Sequence, residues 1–430
     1  MRLVLRMAYA AVAQLAAVAA SVVPASDQKF ALALRARRGI RRRYEAWARA
    51  NRDTARPLLW VHAASVGETI MARPVIDAFR AGHPEAQVAL TFFSPSAEEY
   101  SRKLDVDFRE YLPFDRAGDM GAALEQLRPA ALVFSKVDVW PELARQARRR
   151  GVRLGLISAS LPEGSSRRGA ISQLLLRDAY GALDAVGAVD GGTAARLREL
   201  GVRGEAIEVT GDTAYDVAWQ RVTGDPPETV GPVLDRLRSS RPTIVAGSTW
   251  PADEAPLLEG YLRARRRVAD LRLVVAPHEM DAAHLAQVER WADRHGLRCA
   301  RVDAESVEAA DVVLVDRFGL LAFLYGVGQV SFVGGGFHDA GLHSVVEPAA
   351  HGTPVLFGPR HQRSRDAATL LQAKGARVVT DAASAERALV DYLTDEADRA
   401  VTGERARSVV ASGRGAVARS LALVERLMSG

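Results

Sequence analysis

Twelve short apolar runs, separated by helix-length segments between Leu58 and Thr380, constrain this chain more than any other feature. Six of them (LLWVHAA, QVALTFF, ALVFSK, RLGLISA, AVGAVD, IEVTGD) precede a polar break, and six (TIVAGS, LRLVVAP, DVVLVD, VSFVGGG, PVLFGP, ARVVT) follow it. Continuous Val, Ile and Leu over about five residues, each run followed by a helical stretch, marks strands buried on both faces, as in parallel sheets. The expected fold is α/β, with two doubly wound domains. The break falls at VTGDPPETVGP, which gathers Pro, Gly and acidic residues. We therefore expect a segment 1–39, a first domain over 40–215, a linker over 216–234 and a second domain over 235–430, whose terminal helix has the option of crossing back to the first. In such sheets ligands bind outside the carboxyl ends of the strands, near the point where strand order reverses. Motifs that directly follow the apolar runs are thus the first place to look for function.

Composition narrows the class. At 430 residues, with 48% hydrophobic and 25% charged, the chain matches a globular enzyme, not a polytopic membrane protein or a disordered one. Cys299 is the single cysteine, so neither an internal disulfide nor a thiolate-clustered metal site can form. The formal charge of +5 comes with only four Lys among 57 basic residues, an Arg bias that says little about partners, and no nucleic-acid partner is expected. Placement says more. An Ala-rich apolar stretch, Met7 to Pro24, is followed by Lys29, Arg35, Arg37, Arg38, Arg41, Arg42, Arg43 and Arg49. The stretch falls short of the roughly 20 strongly apolar residues of a spanning helix, which predicts an interfacial or weakly inserted anchor whose basic flank meets anionic headgroups on the cytoplasmic side. Two other readings stand beside it: a signal peptide cleaved near Val23-Pro24-Ala25, and an ordinary buried helix.

The densest motif runs from Asp316 to Gln362 and includes a turn of three glycines, Gly334, Gly335 and Gly336, at a strand end. Such a turn lets backbone N–H groups approach a phosphate, or simply reverses the chain. His343 and Glu347, spaced i, i+4, would share a helical face; Glu347 then either accepts bonds from a ribose diol or complements a helix dipole. The second motif, WVHAASVGET (Trp60 to Thr69), sets Glu68 at a helix start. There it should stay ionised and serve as a proton acceptor, or else close a Ser-x-x-Glu capping box with Ser65. Asp105-x-Asp107 mimics a metal-binding pair but is too short a pattern to carry a site. His284 and His295 read as surface residues, and no metal is expected.

Taken in order, HAASVGE, FSKVDVWPEL, GDTAYD, AGSTWPADE, VVAPHEMD and GGGF…GLHSVVEPAAHGTPVLFGP resemble the 3-deoxy-D-manno-octulosonic acid (Kdo) transferase family across nearly the whole chain. The resemblance implies a GT-B glycosyltransferase, two Rossmann-like domains facing a cleft with an N-terminal membrane-associated helix. It also implies inverting, metal-independent transfer of Kdo from CMP-Kdo to a lipid A precursor, in lipopolysaccharide core biosynthesis at the cytoplasmic face of the inner membrane. CMP-Kdo is the donor substrate, and no cofactor is implied. By matching position, Glu68 is the general base and Asp138, where the family usually has Glu, stabilises the transition state. Pro277 and His278, Phe318, Gly319 and Leu320, and Ser344, Val345, Val346 and Glu347 match the stretches that hold CMP, beside Gly334 to Gly336 and His343; Ser248 is a further phosphate donor.

The chain also departs from the family pattern. A basic residue is replaced by Ala214, an Asn by Ser344 and a Glu by Leu320, and the family's Arg falls near Ser160. Arg167, Arg168 and Arg360 are the candidates to compensate. The rival functions are a GT-B enzyme using a UDP-sugar and a non-catalytic GT-B member of the envelope pathway.

Overall fold

The computed structural model describes residues 2–22 and 29–429, with side chains described for 7–18 and 31–429. The Val23-Pro24-Ala25 cleavage signal lies outside the described residues. The chain divides into two units, one formed by 1–213 with 415–430 and the other by 214–414.

The first unit holds a seven-stranded sheet built from β1 (Leu58–His62), β2 (Gln87–Phe92), β3 (Phe108–Tyr111), β4 (Ala131–Ser135), β5 (Arg153–Ala159), β6 (Ala185–Ala188) and β7 (Ile207–Val209). Every pairing is parallel, in the order β3-β2-β1-β4-β5-β6-β7. All residues of β1, β2 and β4 are buried, which is why these strands read as unbroken apolar runs. Helices cover both faces, one around Trp60, Leu132 and Phe134 and the other around Val61, Val88 and Val133.

The second unit repeats the plan with β8 (Thr243–Thr249), β9 (Arg272–Pro277), β10 (Cys299–Arg301), β11 (Val312–Leu314), β12 (Val330–Val333), β13 (Val355–Phe357) and β14 (Ala376–Val378). Its seven strands are again all parallel, in the order β10-β11-β9-β8-β12-β13-β14. Strand order therefore reverses between β1 and β4 in the first sheet, and between β8 and β12 in the second. Two strands, β3 and β10, have no counterpart among the twelve apolar runs. Both lie at sheet edges, where one side meets solvent and the sequence (FREY, CAR) need not be apolar throughout.

Several expectations are corrected. Residues 216–234 are not a linker: a helix, Thr213–Thr223, and a second, Gly231–Leu237, occupy most of the segment. Tyr215, Ala218, Val230, Val233 and Leu234 are buried in the second unit's core, so the segment is held by packing despite its polar composition. The terminal helix Ala416–Ser429 takes the expected option of returning to the first unit, with Leu423, Val424 and Leu427 buried beside Val133 and Ile157. Arg153 Nη1 donates to the Leu427 carbonyl at 2.6 Å, and Arg426 pairs with Glu208.

Near the N-terminus, Arg2–Val22 is a helix, and among the described residues no helix is long and apolar enough to cross a membrane. It is not an ordinary buried helix, since Met7, Val12, Leu15 and Val18 are exposed; Tyr9 ties it to the first unit through a 2.7 Å bond from its hydroxyl to Asp115. Part of the basic run after it is committed within the first unit. Arg37 is buried, its guanidinium donating to the carbonyls of Leu112 (2.9 Å), Ala33 (2.5 Å) and Phe93 (3.3 Å), while Arg41 and Arg43 pair with Asp119 and Glu110. A buried guanidinium needs that many acceptors.

Gly155 on β5 marks the closest approach of the terminal helix: a Cβ there would lie 2.5 Å from Leu427 Cδ1 and 3.3 Å from Val133 Cγ2. Gly155→Ala is expected to destabilise the protein by about 1–3 kcal/mol through overpacking. Combined with Leu427→Ala, the two losses should be less than additive, as read by denaturant unfolding.

Candidate active site

In the first unit the reversal of strand order sets the carboxyl ends of β1 and β4 side by side. The chain leaves β1 through Ala63, Ala64 and Ser65 into the helix Val66–Gly82. Ser65, in extended conformation, caps that helix, accepting from the Glu68 N–H at 3.3 Å. The Glu68 carboxylate reaches back one residue further than a capping box would, accepting from the Ala64 N–H at 2.6 Å. Ser135, the last residue of β4, donates to the Glu68 carbonyl at 3.3 Å and joins the two strand ends.

Beyond β4 come Lys136, in the left-handed region at φ 64°, and Asp138. Glu68 is buried, and desolvation, followed by the negative charge of Asp138, pushes its carboxyl up to about 7. The helix start therefore does not hold Glu68 as a fixed anion: burial outweighs the dipole and the two backbone hydrogen bonds. Asp138 pairs with Arg167, which stands in the turn Ser166–Arg168. Of the three candidate compensating arginines, only Arg167 is found at this site. Arg168 pairs with Glu199, and Arg360 with Asp339 in the second unit.

Sequence reading missed one contact here. Trp140 Nε1 donates to His62 Nε2 at 2.9 Å, and His62 Nδ1 lies 3.0 Å from Thr91 Oγ1. Burial, with the nearby charge of Arg37, pushes the His62 imidazole down to about 3, so it stays neutral and can accept. The motifs of β1 and β4 are thereby locked together through His62 and Trp140. Asp105 and Asp107 pair with Arg80, a structural use of that acidic pair.

In the second unit the ends of β8 and β12 adjoin in the same way. Ser248, at φ 54°, lies one residue before the end of β8, where the pairing with β9 shifts register between Gly247 and Thr249, a strained geometry for a residue with a side chain. The three glycines follow β12, and each is required sterically: a Cβ on Gly334 would strike the Ser248 carbonyl, one on Gly335 the Gly341 carbonyl and one on Gly336 the Gly358 backbone. The amides of Gly334 and Gly335 are committed within the protein and not open to a phosphate. Gly334 donates to the Gly247 carbonyl (2.9 Å) and Gly335 to Asp253 (2.7 Å), a buried carboxylate that also takes the N–H of Phe337 (2.9 Å) and Trp250 (2.9 Å).

His343 precedes the short helix Val346–Ala350, so it does not share a helical face with Glu347. Both nevertheless reach one cavity of about 320 Å³, which Ser248, Gly319 and Ser344 also line. Arg221, Leu321, Ala322, Phe323 and Tyr325, which sequence reading did not single out, complete its wall. Glu347 accepts from Ser344 Oγ at 2.5 Å and from Arg221 Nη1 at 3.5 Å.

His343 accepts from Trp250 Nε1 at 3.2 Å and stacks on His278 at 4.4 Å; burial and the neighbouring His278 push it down to about 4. Leu320, Val345 and Val346 are core residues whose side chains are buried in the apolar cluster, and Pro277 is buried at the end of β9. Phe318 is 81% exposed. His284 is also buried, not superficial, its Nε2 3.0 Å from Glu254. No group of three or more His, Cys, Asp or Glu that could hold a metal occurs among the described residues.

Comparison with known proteins gives this geometry a family. The model of the family described as 3-Deoxy-D-manno-octulosonic-acid transferase (kdotransferase) matches residues 35–217. A 3-deoxy-D-manno-octulosonic acid transferase of Bordetella pertussis is 32% identical over 409 residues, covering 88% of this chain and 89% of the relative. The chain belongs to the Kdo transferase family. Membership makes it a glycosyltransferase. A second relative of the same name, from Haemophilus influenzae, is 25% identical, with 85% of this chain and 86% of the relative covered.

Among solved structures, a putative UDP-N-acetylglucosamine 2-epimerase from Listeria monocytogenes aligns at a TM-score of 0.62 with 15% identity, covering 86% of this chain and 96% of that one. A UDP-GlcNAc 2-epimerase from Neisseria meningitidis aligns at 0.61 with 12% identity, covering 86% and 99%. At such identities the likeness is one of fold: two parallel-sheet α/β units, as in GT-B proteins.

Because Glu68 has a raised carboxyl pKa, the folded state binds its proton more tightly than the unfolded chain does. Its ionisation therefore removes stability as pH rises from about 4.5 to about 7. Glu68→Gln is expected to gain stability relative to the parent over that interval and to hold the gain above it, as measured by thermal denaturation across pH.

Proposed function

We propose that the chain transfers Kdo from CMP-Kdo to a hydroxyl of a lipid A precursor in lipopolysaccharide core biosynthesis, with inversion and without a metal or other cofactor. The observation that carries this reading is Glu68, buried at a strand-order reversal with its carboxyl held near 7 beside Asp138, in a member of the Kdo transferase family. A base with a pKa near neutrality accepts a proton readily and is still ionised in a useful fraction of molecules. In the proposed step the acceptor hydroxyl attacks the anomeric carbon, its proton passes to Glu68, and the bond to the CMP phosphate oxygen breaks. Asp138, oriented by Arg167, supports the charge that develops on the sugar.

The donor is assigned to the second unit's cavity. In this reading Glu347 accepts from the ribose hydroxyls, and Ser248, His343 and Ser344 line the nucleotide. Gly334, Gly335 and Gly336 act as the tight backing of that wall. The exposed apolar side chains of the N-terminal helix would rest on the cytoplasmic surface of the inner membrane, where the lipid acceptor resides.

Purified full-length chain, CMP-Kdo and detergent-dispersed lipid A precursor should yield a product heavier by one or more Kdo units. The pH profile of kcat/KM should rise through an inflection near 7 as Glu68 ionises. Glu68→Gln should lower kcat by about 10²–10⁴-fold above pH 7, by less below it, and should abolish that inflection without loss of folding. Full activity in that variant would remove Glu68 from the base role.

A further inference from the structure

Arg221 belongs to none of the motifs that carry the family resemblance, yet it enters the wall of the second unit's cavity. It stands on the helix Thr213–Thr223, seven residues and two turns after Ala214, and so on the same helical face. Of the side chains that line the cavity, only Arg221 bears a permanent positive charge; His343 is held neutral by burial. Two other arginines in the neighbourhood are turned elsewhere, Arg407 and Arg414 lying 5.2 and 4.3 Å from the ring centroid of Trp219.

The one side-chain hydrogen bond that Arg221 makes among the described residues is the 3.5 Å contact to Glu347, at the outer limit for such a bond. A guanidinium carries five N–H donors in a planar fork suited to phosphate oxygens. Glu347 meanwhile has its other oxygen engaged by Ser344 at 2.5 Å. The cavity thus presents a carboxylate and a cation side by side, the cation with donors to spare. The glycine turn supplies little in its place, because the amides of Gly334 and Gly335 are bonded within the protein.

We propose that Arg221 binds the phosphate of a nucleoside monophosphate ester in this cavity, and so decides its preference for the charged nucleotide over the bare nucleoside. The assignment rests on the donor-site reading given above.

Titration calorimetry of the full chain with CMP and with cytidine tests it. The parent should bind CMP more tightly than cytidine. In Arg221→Gln the affinity for CMP should fall about ten- to a hundredfold, the scale of a lost charged hydrogen bond, while cytidine binding stays unchanged. Arg221→Lys should keep part of the gap, and the KM for the donor should rise in Arg221→Gln far more than kcat falls. Equal losses for CMP and cytidine would mean that Arg221 only positions Glu347, and would overturn the proposal. So would unchanged CMP binding in a variant of a parent that binds CMP. A parent that binds neither ligand overturns the donor-site reading itself, and this assignment with it.

Discussion

Reversal of strand order within each parallel sheet is the constraint on which the rest of this structure depends. A parallel sheet needs a covered crossover after each strand, so every loop at a carboxyl end opens into a helix. Where β1 meets β4 and β8 meets β12, the two neighbouring connections diverge and leave room between them. Glu68 and Asp138 are brought together by the first reversal, and Ser248 and the Gly334 turn by the second. In chain terms these partners are far apart; in the sheet they are adjacent.

Burial then converts that placement into chemistry. Glu68 would be an unremarkable first-turn carboxylate on an exposed helix. Closed in by the ends of β1 and β4 and set against Asp138, it loses the solvation that favours its anion, and the bond it accepts from the Ala64 N–H only partly restores it. The same low polarity acts in the opposite sense on His62, which is kept neutral and so is able to accept the Trp140 N–H. In the second unit one buried carboxylate, Asp253, collects three backbone N–H groups and fixes the path of the chain from the Trp250 helix start to the glycine turn. Burial raises the carboxyl of Glu68, whereas Asp253 is spent on architecture.

Much of this was legible in the sequence. Unbroken apolar runs identified every interior strand, because an interior strand of a parallel sheet has no solvent face to encode. The edge strands β3 and β10 were invisible for the converse reason. Glu68 and Asp138 stood in motifs directly after such runs, where a site is expected. Arg221 carried no local signal, since an arginine in a helix otherwise looks like any solvated cation. Composition misled at 216–234: Pro, Gly and acidic residues looked like a linker, yet the Val and Leu residues interspersed among them pack into the second core. The glycine turn misled in a subtler way, because glycine reports that space is needed without saying what fills it, and here it is backbone.

The sequence by itself determined the two α/β units and the family, since hydrophobic periodicity and ordered motifs are properties of neighbouring residues. Which residues share a site, which carboxylate is protonated near neutrality and which arginines remain uncommitted were decided only by the tertiary structure. Those properties depend on strand order and on exclusion of water, and both arise from contacts between segments that the chain keeps far apart.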